Sequence, residues 1–309
     1  MIDNSDSYRH KKSVLVSIVS YNSAEFLRPC IQSLREQEGF DIGENLQIIV
    51  RDNASGDWSP SLEKELGSLG LKLIRNSKNL GFCRAHNQSV YEFLQSSFDY
   101  LLILNPDVSL TSDCLMNLVD SIEEHQAGMA TPLLRRATET LEPIDPPIID
   151  AAGMKLSLTL RHFDRGSGEI DRGQFLVSEY VFGGTGACLL LSRNAVSKLL
   201  LQGQKFEEDL YQIYPELRGT GPHAPLFDDA FFAYREDADL CWRAKRRGVL
   251  CRYTPEAWAY HRRGLQSTRR SAGAGLVNAL SVRNRFLLLI NNFSWSNNAA
   301  AIIPGFLFR

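Results

Sequence analysis

The chain has 309 residues, of which 44% are hydrophobic and 23% are charged, and its formal net charge at pH 7 is -2. This composition is that of an ordinary globular protein, with enough residues for one large domain or two small ones. Because the chain has no global positive charge, we predict that nucleic acid is not a partner.

The cysteines and the chain start predict a cytoplasmic protein. Six cysteines are present and none forms a Cys-x-x-Cys pair, which favours buried free thiols over a zinc site or disulfides. The first twelve residues are polar and charged and do not resemble a signal peptide. No window reaches the roughly 18 apolar residues of a membrane span.

Strand and helix patterns alternate through the first part of the chain. Apolar runs predict strands at 13–19, 46–50, 71–74 and 100–104, and apolar residues at helical spacing predict a helix after each of them. Ser59 followed by Pro60 is typical of a helix start. Four such alternations predict a parallel, doubly wound α/β sheet.

The second part of the chain is less regular. Residues 133–179 and 202–225 predict loops and short strands, whereas a glycine-rich turn at 183–186 precedes a predicted strand and helix. A helix that starts near 236 ends at Gly248, and a strand is predicted at 249–253. A helix at 276–292 leads into an apolar chain end, so we expect this tail to meet the inner membrane surface.

The stretch from Tyr100 to Val108 organises the functional prediction. Its first five residues predict a strand buried on both faces, and Pro106 ends that strand because proline cannot continue the hydrogen-bond ladder. Asp107 therefore follows the carboxyl end of a central strand, where ligands bind in open α/β sheets. A carboxylate there suits a divalent cation and, through it, a diphosphate. For this stretch alone, an ordinary turn is the better interpretation.

Polar residues also follow the other predicted strands. They are Tyr21, Asn22, Asp52, Asn79 and Gly81. Since the carboxyl ends of parallel strands lie on one edge of a sheet, these positions predict a nucleotide pocket. Neither G-x-G-x-x-G after the first strand nor G-x-x-x-x-G-K-[ST] is present, so a metal held by Asp107 is the expected means of neutralising phosphate charge.

Five blocks in the chain resemble family 2 glycosyltransferases, and within them the bacterial rhamnosyltransferase-like branch. The blocks, in the family's order, are Val16–Ser23, Asp52–Ser55, Asn79–Phe82, Leu104–Asp107 and Glu236–Arg243. The resemblance covers roughly residues 13–265. It implies a GT-A fold, a divalent cation (Mn²⁺ or Mg²⁺), and inverting transfer from a nucleotide-diphospho-sugar to an acceptor hydroxyl.

The resemblance also implies roles for residues on the donor side. Asp52, expected on a loop edge and not in the core, would hydrogen-bond the pyrimidine base, and Tyr21 and Asn22 would line the nucleoside pocket. Asn79 and Gly81 belong to a further family block on the same edge of the sheet.

On the catalytic side, Asn105-Pro106-Asp107 stands where the family has D-x-D. Asn105 would be a weaker metal ligand than the aspartate it replaces, so Asp107 would be the main ligand. His261 matches the family's downstream metal-binding histidine. Asp237 matches the general base, and Gly184 lies in a turn beside the donor sugar and the acceptor.

Without the resemblance, His261 is better interpreted as a surface histidine and Asp237 as an acid at a helix start. A sugar nucleotidyltransferase would need a glycine-rich basic loop where the chain has Ser20–Ser23. A non-catalytic nucleotide-sugar or glycan-binding protein would not need Asp107 and Asp237.

We predict a nucleotide-sugar-binding half at 1–131, an acceptor and catalytic half of the same domain at 132–265, and a helical tail at 266–309. The expected sugar is rhamnose, and the expected acceptor is a cell-surface polysaccharide or a lipid-linked glycan.

Overall fold

The computed structural model describes residues 11–201, 204–263 and 270–293. One large mixed sheet crosses the molecule, with helices on both faces. The strands are β1 Val14–Ser20, β2 Leu46–Asp52, β3 Lys72–Arg75, β4 Tyr100–Leu104, β5 Val108–Leu110, β6 Met129–Arg136, β7 Ile149–Ala151, β8 Met154–Leu156, β9 His162–Asp164, β10 Glu179–Val181, β11 Cys188–Ser192 and β12 Cys251–His261. The helices are α1 Ala24–Arg35, α2 Pro60–Gly67, α3 Gly81–Gln95, α4 Cys114–His125, α5 Arg193–Leu199, α6 Gln204–Ile213, α7 Glu236–Arg246 and α8 Arg270–Asn292.

The first four strands form the parallel part of the sheet, in the order β3-β2-β1-β4. The register places Ser20 beside Asp52 and Ile18 beside Leu104. The carboxyl ends of β1, β2 and β4 therefore lie on one edge. The doubly wound α/β prediction for this region is confirmed, including the start of α2, where the Ser59 side chain accepts a hydrogen bond from the Leu62 N–H.

The rest of the sheet is mixed. β11 lies antiparallel between β4 and β6, β12 is parallel to β6, and β10 pairs with β12 at the far edge. Two parts of the sheet were not predicted. β6 begins at Met129 and runs into the segment that was expected to hold loops and short strands, and β12 continues beyond the predicted end at 253, with a register shift between Thr254 and Trp258.

Two apolar layers hold the sheet between the helices. Because strand side chains alternate between faces, Val14 and Val16 pack in one layer with α1, α2 and α4, whereas Leu15 packs in the other with α3, α5 and α7. Leu288 of α8 belongs to this second layer and is 2% exposed. The described part of the tail is therefore a helix packed on the domain, which confirms the predicted helix and extends it to residue 270.

Three further expectations can be compared with the structure. Residues 202–225 are not simply irregular, because α6 lies among them. All six cysteines are free and buried, as predicted. In the three described ranges, no helix is long and apolar enough to cross a bilayer. The apolar chain end that follows α8 lies outside the described residues, at 294–309.

Candidate active site

Asp52 lies at the predicted sheet edge but is not exposed. It ends β2, it is fully buried, and its carboxylate accepts hydrogen bonds from the Ser55 N–H at 3.1 Å and from Arg75 Nε at 3.0 Å. These contacts close the turn after β2 in the manner of an Asx turn. The expectation of a loop-edge position outside the core is therefore wrong. Contact with a base stays a prediction, and it would require the half-exposed Arg75 to move aside.

The loop after β1 carries the exposed face of the predicted nucleoside pocket. Tyr21 is 51% exposed, and its side chain makes no hydrogen bond to another described residue. Asn22 has a left-handed backbone (φ 52°), and its Oδ1 accepts a hydrogen bond from the Gly56 N–H at 2.8 Å. The Asn22 side chain therefore ties the loops after β1 and β2 together. Tyr21 keeps a free side chain that is available to a ligand.

The turn before α3 packs on the loop that precedes α7. Asn79 Oδ1 accepts a hydrogen bond from the Gly81 N–H, and the Gly81 carbonyl accepts one from Asn53. Gly81 has φ 77°, and a Cβ there would lie 2.5 Å from the Phe232 carbonyl oxygen. Close backbone packing therefore explains the glycine without any ligand.

Asp107 and His261 come together, as the sequence predicted. Asp107 Oδ1 lies 3.5 Å from His261 Nε2, and the Asp107 carbonyl accepts the Arg262 N–H. Burial alone would raise the pKa of Asp107 and lower that of His261. The interactions of Asp107 and Asp150 with His261 outweigh burial, so the pKa of Asp107 is lowered and that of His261 is raised to about 10. The sequence-only interpretation of His261 as a surface residue is wrong, because it is 8% exposed.

Asp150 contacts the candidate site, and the sequence did not reveal it. It lies on β7, is 2% exposed, and accepts hydrogen bonds from His261 Nδ1 at 2.8 Å and Arg263 Nη1 at 3.1 Å. A carboxylate on one imidazole nitrogen fixes the ring and directs the other nitrogen at its target. Here that second nitrogen faces Asp107. Asp150 lies in the segment that showed no periodicity, so no local signal marked it.

The chemistry of this donor set fits a divalent cation only in part. In the part of the chain that the structure describes, no group of three His, Cys, Asp or Glu side chains is placed to hold a metal. Asp107 and His261 could supply one oxygen and one nitrogen. Mg²⁺ and similar ions commonly take one or two protein carboxylates and complete their shell with substrate phosphates and water. The pair therefore fits a metal that is bound together with a diphosphate.

The glycine-rich turn at 183–186 holds Asp237. The Gly186 N–H donates to Asp237 Oδ2 at 3.1 Å, and the half-buried Asp237 is the second residue of α7. A Cβ on Gly183 would lie 2.1 Å from Cys241 Sγ, so the turn can pack on α7 only with glycine there. Gly184 is buried between Thr131 and α7, and Cys241 donates to its carbonyl.

The acidic neighbours of Asp237 have other surroundings. Asp239 is buried and paired with Arg243 at 2.9 Å, as expected for an i, i+4 pair. Glu236 is also buried, and burial followed by repulsion from Asp237 raises its pKa well above the usual range. Of the three carboxyl groups, Asp237 combines partial exposure with a place beside the glycine-rich turn.

The loop before α7 is strained and is held from α8. Phe232, Tyr234 and Arg235 have φ values of 63°, 73° and 73°, which cost energy in residues other than glycine. Asn284 of α8 is fully buried and donates to the carbonyls of residues 231, 233 and 234 at 2.7–2.8 Å. The start of α7, the helix that carries Asp237, therefore depends on a residue about fifty positions later.

Sequence comparison identifies the family. Residues 15–200 match the family described as Glycosyl transferase family 2. The chain is 24% identical over 252 residues to the rhamnosyltransferase WbbL of Escherichia coli (strain K12), an overlap of 80% of this chain and 83% of that protein. It is 28% identical over 120 residues to the uncharacterized protein MT1568 of Mycobacterium tuberculosis (strain CDC 1551 / Oshkosh), an overlap of 39% of this chain and 35% of that one.

Solved structures share the fold. A structure of GalNAc-T7 with UDP, GalNAc and Mn²⁺ aligns with TM-score 0.66 and 13% identity over 94% of this chain, which spans 50% of the GalNAc-T7 chain. A structure of S. aureus TarS 1-349 in complex with UDP aligns with TM-score 0.50 and 15% identity, over 94% of this chain and 68% of that one. Since the family match also spans more than half of the sequence, the chain belongs to glycosyl transferase family 2 and is a glycosyltransferase with a GT-A fold.

Proposed function

We propose that this glycosyltransferase inverts the anomeric centre as it moves a sugar, with rhamnose the first candidate, from a nucleotide-diphospho-sugar to a glycan hydroxyl. One arrangement carries the proposal. The Asn105 N–H donates to the Ala187 carbonyl at 2.9 Å, and the adjacent Gly186 N–H donates to Asp237. The strand end that carries Asp107 therefore adjoins the turn that holds Asp237. A candidate diphosphate site and a candidate base lie on neighbouring pieces of backbone.

Asp237 is the proposed general base. In a single in-line displacement, the acceptor oxygen forms a bond to the anomeric carbon while the bond from that carbon to the diphosphate oxygen breaks. The diphosphate leaves with the bonding electrons, and the acceptor proton passes to the Asp237 carboxylate. The Gly186 N–H orients this carboxylate, and its place on helix α7 keeps it in a rigid position.

Asp107 and His261 are the proposed ligands of Mn²⁺ or Mg²⁺. A cation bound with the donor offsets the negative charge that develops on the leaving diphosphate. Asp107 supplies a partly buried carboxylate, and Asp150 keeps the His261 ring turned toward it. The Mn²⁺ in the GalNAc-T7 structure supports the cation at the level of a shared fold.

The donor and the acceptor are proposed at the level of chemical class. UDP in both aligned structures supports a nucleoside diphosphate leaving group. The similarity to a rhamnosyltransferase over most of both chains supports rhamnose, with a cell-surface polysaccharide or lipid-linked glycan as the acceptor. The predicted roles of Tyr21, Asn22 and Asp52 at the nucleoside and of Gly184 at the sugar belong to this proposal.

A thermal-shift screen tests the donor. Nucleoside diphosphates and nucleotide-sugars are added with Mn²⁺, and a ligand at a hundred times its Kd stabilises the native state by about 2.7 kcal/mol. We expect one nucleotide series to raise the melting temperature in wild type and to do so less in Tyr21→Ala. Tyr91→Ala, another exposed tyrosine on the outer part of α3, is the matched control. A flat response to every nucleotide would contradict the proposal.

We further propose that α8 meets the inner face of the cell membrane. Val282, Phe286 and Ile290 recur every four residues and are 60%, 57% and 75% exposed, so they form an apolar stripe. The basic end of α7 lies beside it, since Arg246 donates to the Asn291 carbonyl. Apolar residues next to cations fit an anionic bilayer surface.

Flotation on anionic vesicles tests the stripe. Replacing Val282, Phe286 and Ile290 together with serine should abolish flotation of the full chain. Replacing Leu176 and Val177 with serine is the control, because they are comparably exposed (59% and 75%) on another part of the surface. Failure of wild type to float would contradict the proposal. If the triple variant then turned a dimer into a monomer, the stripe would be a self-association surface instead.

A further inference from the structure

The hairpin of β8 and β9 is packed directly on the turn that holds Asp237. The Met154 N–H donates to the Gly183 carbonyl at 2.7 Å, and the Phe182 N–H donates back to the Met154 carbonyl. β9 pairs with β8, with His162 opposite Leu156 and Asp164 opposite Met154. β9 is therefore one strand away from the glycine-rich turn, on the side that the donor-binding strands do not occupy.

Arg263 fixes the far end of this hairpin. Its guanidinium donates to Asp164 Oδ2 at 2.5 Å and to Asp150 Oδ1 at 3.1 Å. Asp150 in turn holds His261. The hairpin is thus anchored at both of its connections to the site, by backbone hydrogen bonds near Asp237 and by an ion pair near the candidate metal ligands. A side chain on β9 has a defined position relative to both.

His162 lies on the same face of β9 as Asp164, because alternate residues of a strand share a face, and the charge of Asp237 acts on both side chains. Burial lowers the pKa of His162, the Asp237 carboxylate opposes this shift, and Arg235 and Arg161 add to it, so the net effect favours the neutral imidazole. Its Nδ1 atom is buried and has no hydrogen-bond partner among the described residues. Its Nε2 is not among the buried unpartnered atoms, and no described residue hydrogen-bonds to it.

A packing role alone does not explain a histidine in this position. An apolar ring of similar size would fill the same space without leaving a buried nitrogen unpaired, which costs stability. A neutral imidazole can either accept or donate a hydrogen bond at its free nitrogen. The charged groups that act on His162 are Asp237, Arg235 and Arg161. A sugar hydroxyl, which is neutral and can donate or accept a hydrogen bond, suits a neutral imidazole among them.

We infer that the β8–β9 hairpin forms an acceptor subsite in which His162 binds a hydroxyl of the acceptor sugar next to Asp237. The inference rests on the proposed transferase function and adds the residue that selects the acceptor. His162 exchanges no proton in the reaction. The reacting hydroxyl gives its proton to Asp237, and His162 holds the acceptor so that this hydroxyl faces the anomeric carbon.

Two substitutions of His162 separate hydrogen bonding from simple shape. Glutamine places its amide near the position of Nε2, the nitrogen that is free and not buried, whereas the shorter asparagine does not reach it. Phe163→Leu is the matched control, because Phe163 is the next residue on the same strand and points to the opposite face. Circular dichroism and the melting temperature verify that each variant is folded.

The assay uses a panel of octyl glycosides as acceptors and the nucleotide-sugar that wild type hydrolyses fastest. We expect His162→Asn to raise the acceptor KM about tenfold. Hydrolysis of the donor without acceptor and affinity for the nucleoside diphosphate should stay at wild-type values. His162→Gln should restore most of the acceptor affinity, and Phe163→Leu should leave it unchanged.

Each other outcome is decisive. An unchanged acceptor KM in His162→Asn would overturn the inference, as would equal losses of donor hydrolysis and acceptor use. A wild type that hydrolyses a donor but transfers to no glycoside would also overturn it, while the proposed donor chemistry would stand. A wild type that consumes no nucleotide-sugar would overturn the proposed function, and the acceptor subsite with it.

Discussion

Different kinds of contact hold the two sides of the candidate active site. The donor side contains Asp52 and Asn79, and the base side contains Asp237, the proposed general base. On the donor side, some of the hydrogen bonds are local, since Asp52 bonds to Ser55 and Asn79 bonds to Gly81 within three residues, in addition to the longer-range bond from Arg75 to Asp52. On the base side, the loop before Asp237 is held by Asn284, about fifty residues later. Local contacts form from a short sequence, whereas distant ones require the whole fold. The base side should therefore be the more fragile.

Loss of the proposed base should have the largest effect. Asp237→Asn keeps the side chain's shape and an oxygen for the Gly186 N–H, but it cannot take the acceptor proton. We expect turnover to fall by about 10²–10⁴-fold, with donor affinity unchanged, as measured by product formation and by calorimetry of the nucleoside diphosphate. Near-normal turnover would remove Asp237 from this role. If Asp237→Asn were active and Glu236→Gln inactive, Glu236 would be the general base instead.

Breaking the distant contact should damage the base side selectively. Asn284→Leu leaves the partly buried carbonyls of Ala233 and Tyr234 without their donor, which should cost about 3 kcal/mol of unfolding free energy. We expect a lower urea midpoint with an unchanged m-value. Turnover at permissive temperature should also fall, while nucleoside diphosphate affinity is kept.

Asn117→Leu is the control for that substitution, since Asn117 also donates to one distant carbonyl, that of Glu256, but at an exposed position. Its effect should be within about 1 kcal/mol. Equal losses of donor affinity and turnover in Asn284→Leu would mean that the two sides are not held separately.

The donor side should show its own sensitivity, to acid. Burial, with a smaller contribution from Arg51, lowers the pKa of His86 to about 3, and its Nδ1 lies 2.8 Å from Ser17 Oγ of β1. The unfolded chain binds a proton near pH 6.5, so this contribution to stability is complete above pH 6.5 and is lost as the pH falls toward 3. At pH 5 the loss should be about 2 kcal/mol.

Urea unfolding at pH 7.5 and pH 5 measures this loss. His86→Asn can keep the hydrogen bond to Ser17 but does not titrate, so it should lose about 2 kcal/mol less than wild type between the two values. His125→Asn, on the half-exposed end of α4, should behave like wild type. An identical acid loss in wild type and His86→Asn would contradict the assignment.

The smallest expected effect is the loss of Mn²⁺ affinity when Asp150 no longer positions the His261 ring. Asp150→Asn keeps an oxygen near Nδ1 but removes the charge, so Mn²⁺ affinity should fall by about 10–100-fold in the presence of a nucleoside diphosphate. Asp107→Ala should abolish detectable Mn²⁺ binding. Electron paramagnetic resonance of free Mn²⁺ measures both without an activity assay. Wild-type Mn²⁺ affinity in Asp107→Ala would remove the metal from this place.

The same contrast explains what could be predicted from the sequence. β1, β2 and β4 are continuous apolar runs, and the polar residues that follow them mark the donor edge directly. β6 was missed because Pro132 and two arginines interrupt its pattern, although β12 and β11 pair with it on both sides. β12 was cut short at Pro255, where the ladder shifts register.

The parts of the site that depend on distant partners gave no local signal. Asp150 is defined by its contact with His261, which is 111 residues away. The burial of Asp52 depends on Arg75 and on the packing of the sheet edge, so a strand-end pattern could place the residue but could not predict its exposure. The pattern of a single segment predicts the position of a residue in a strand or turn, whereas the contacts and the exposure of its side chain depend on the whole fold.

The anomeric configuration of the transferred sugar tests the central claim most directly. The wild-type protein is incubated with Mn²⁺, a panel of nucleoside-diphospho-sugars and octyl glycoside acceptors, and the product linkage is read by nuclear magnetic resonance. A single displacement assisted by Asp237 predicts a product whose anomeric configuration is opposite to that of the donor. A product with the donor's configuration, or no sugar transfer from any donor, would contradict it.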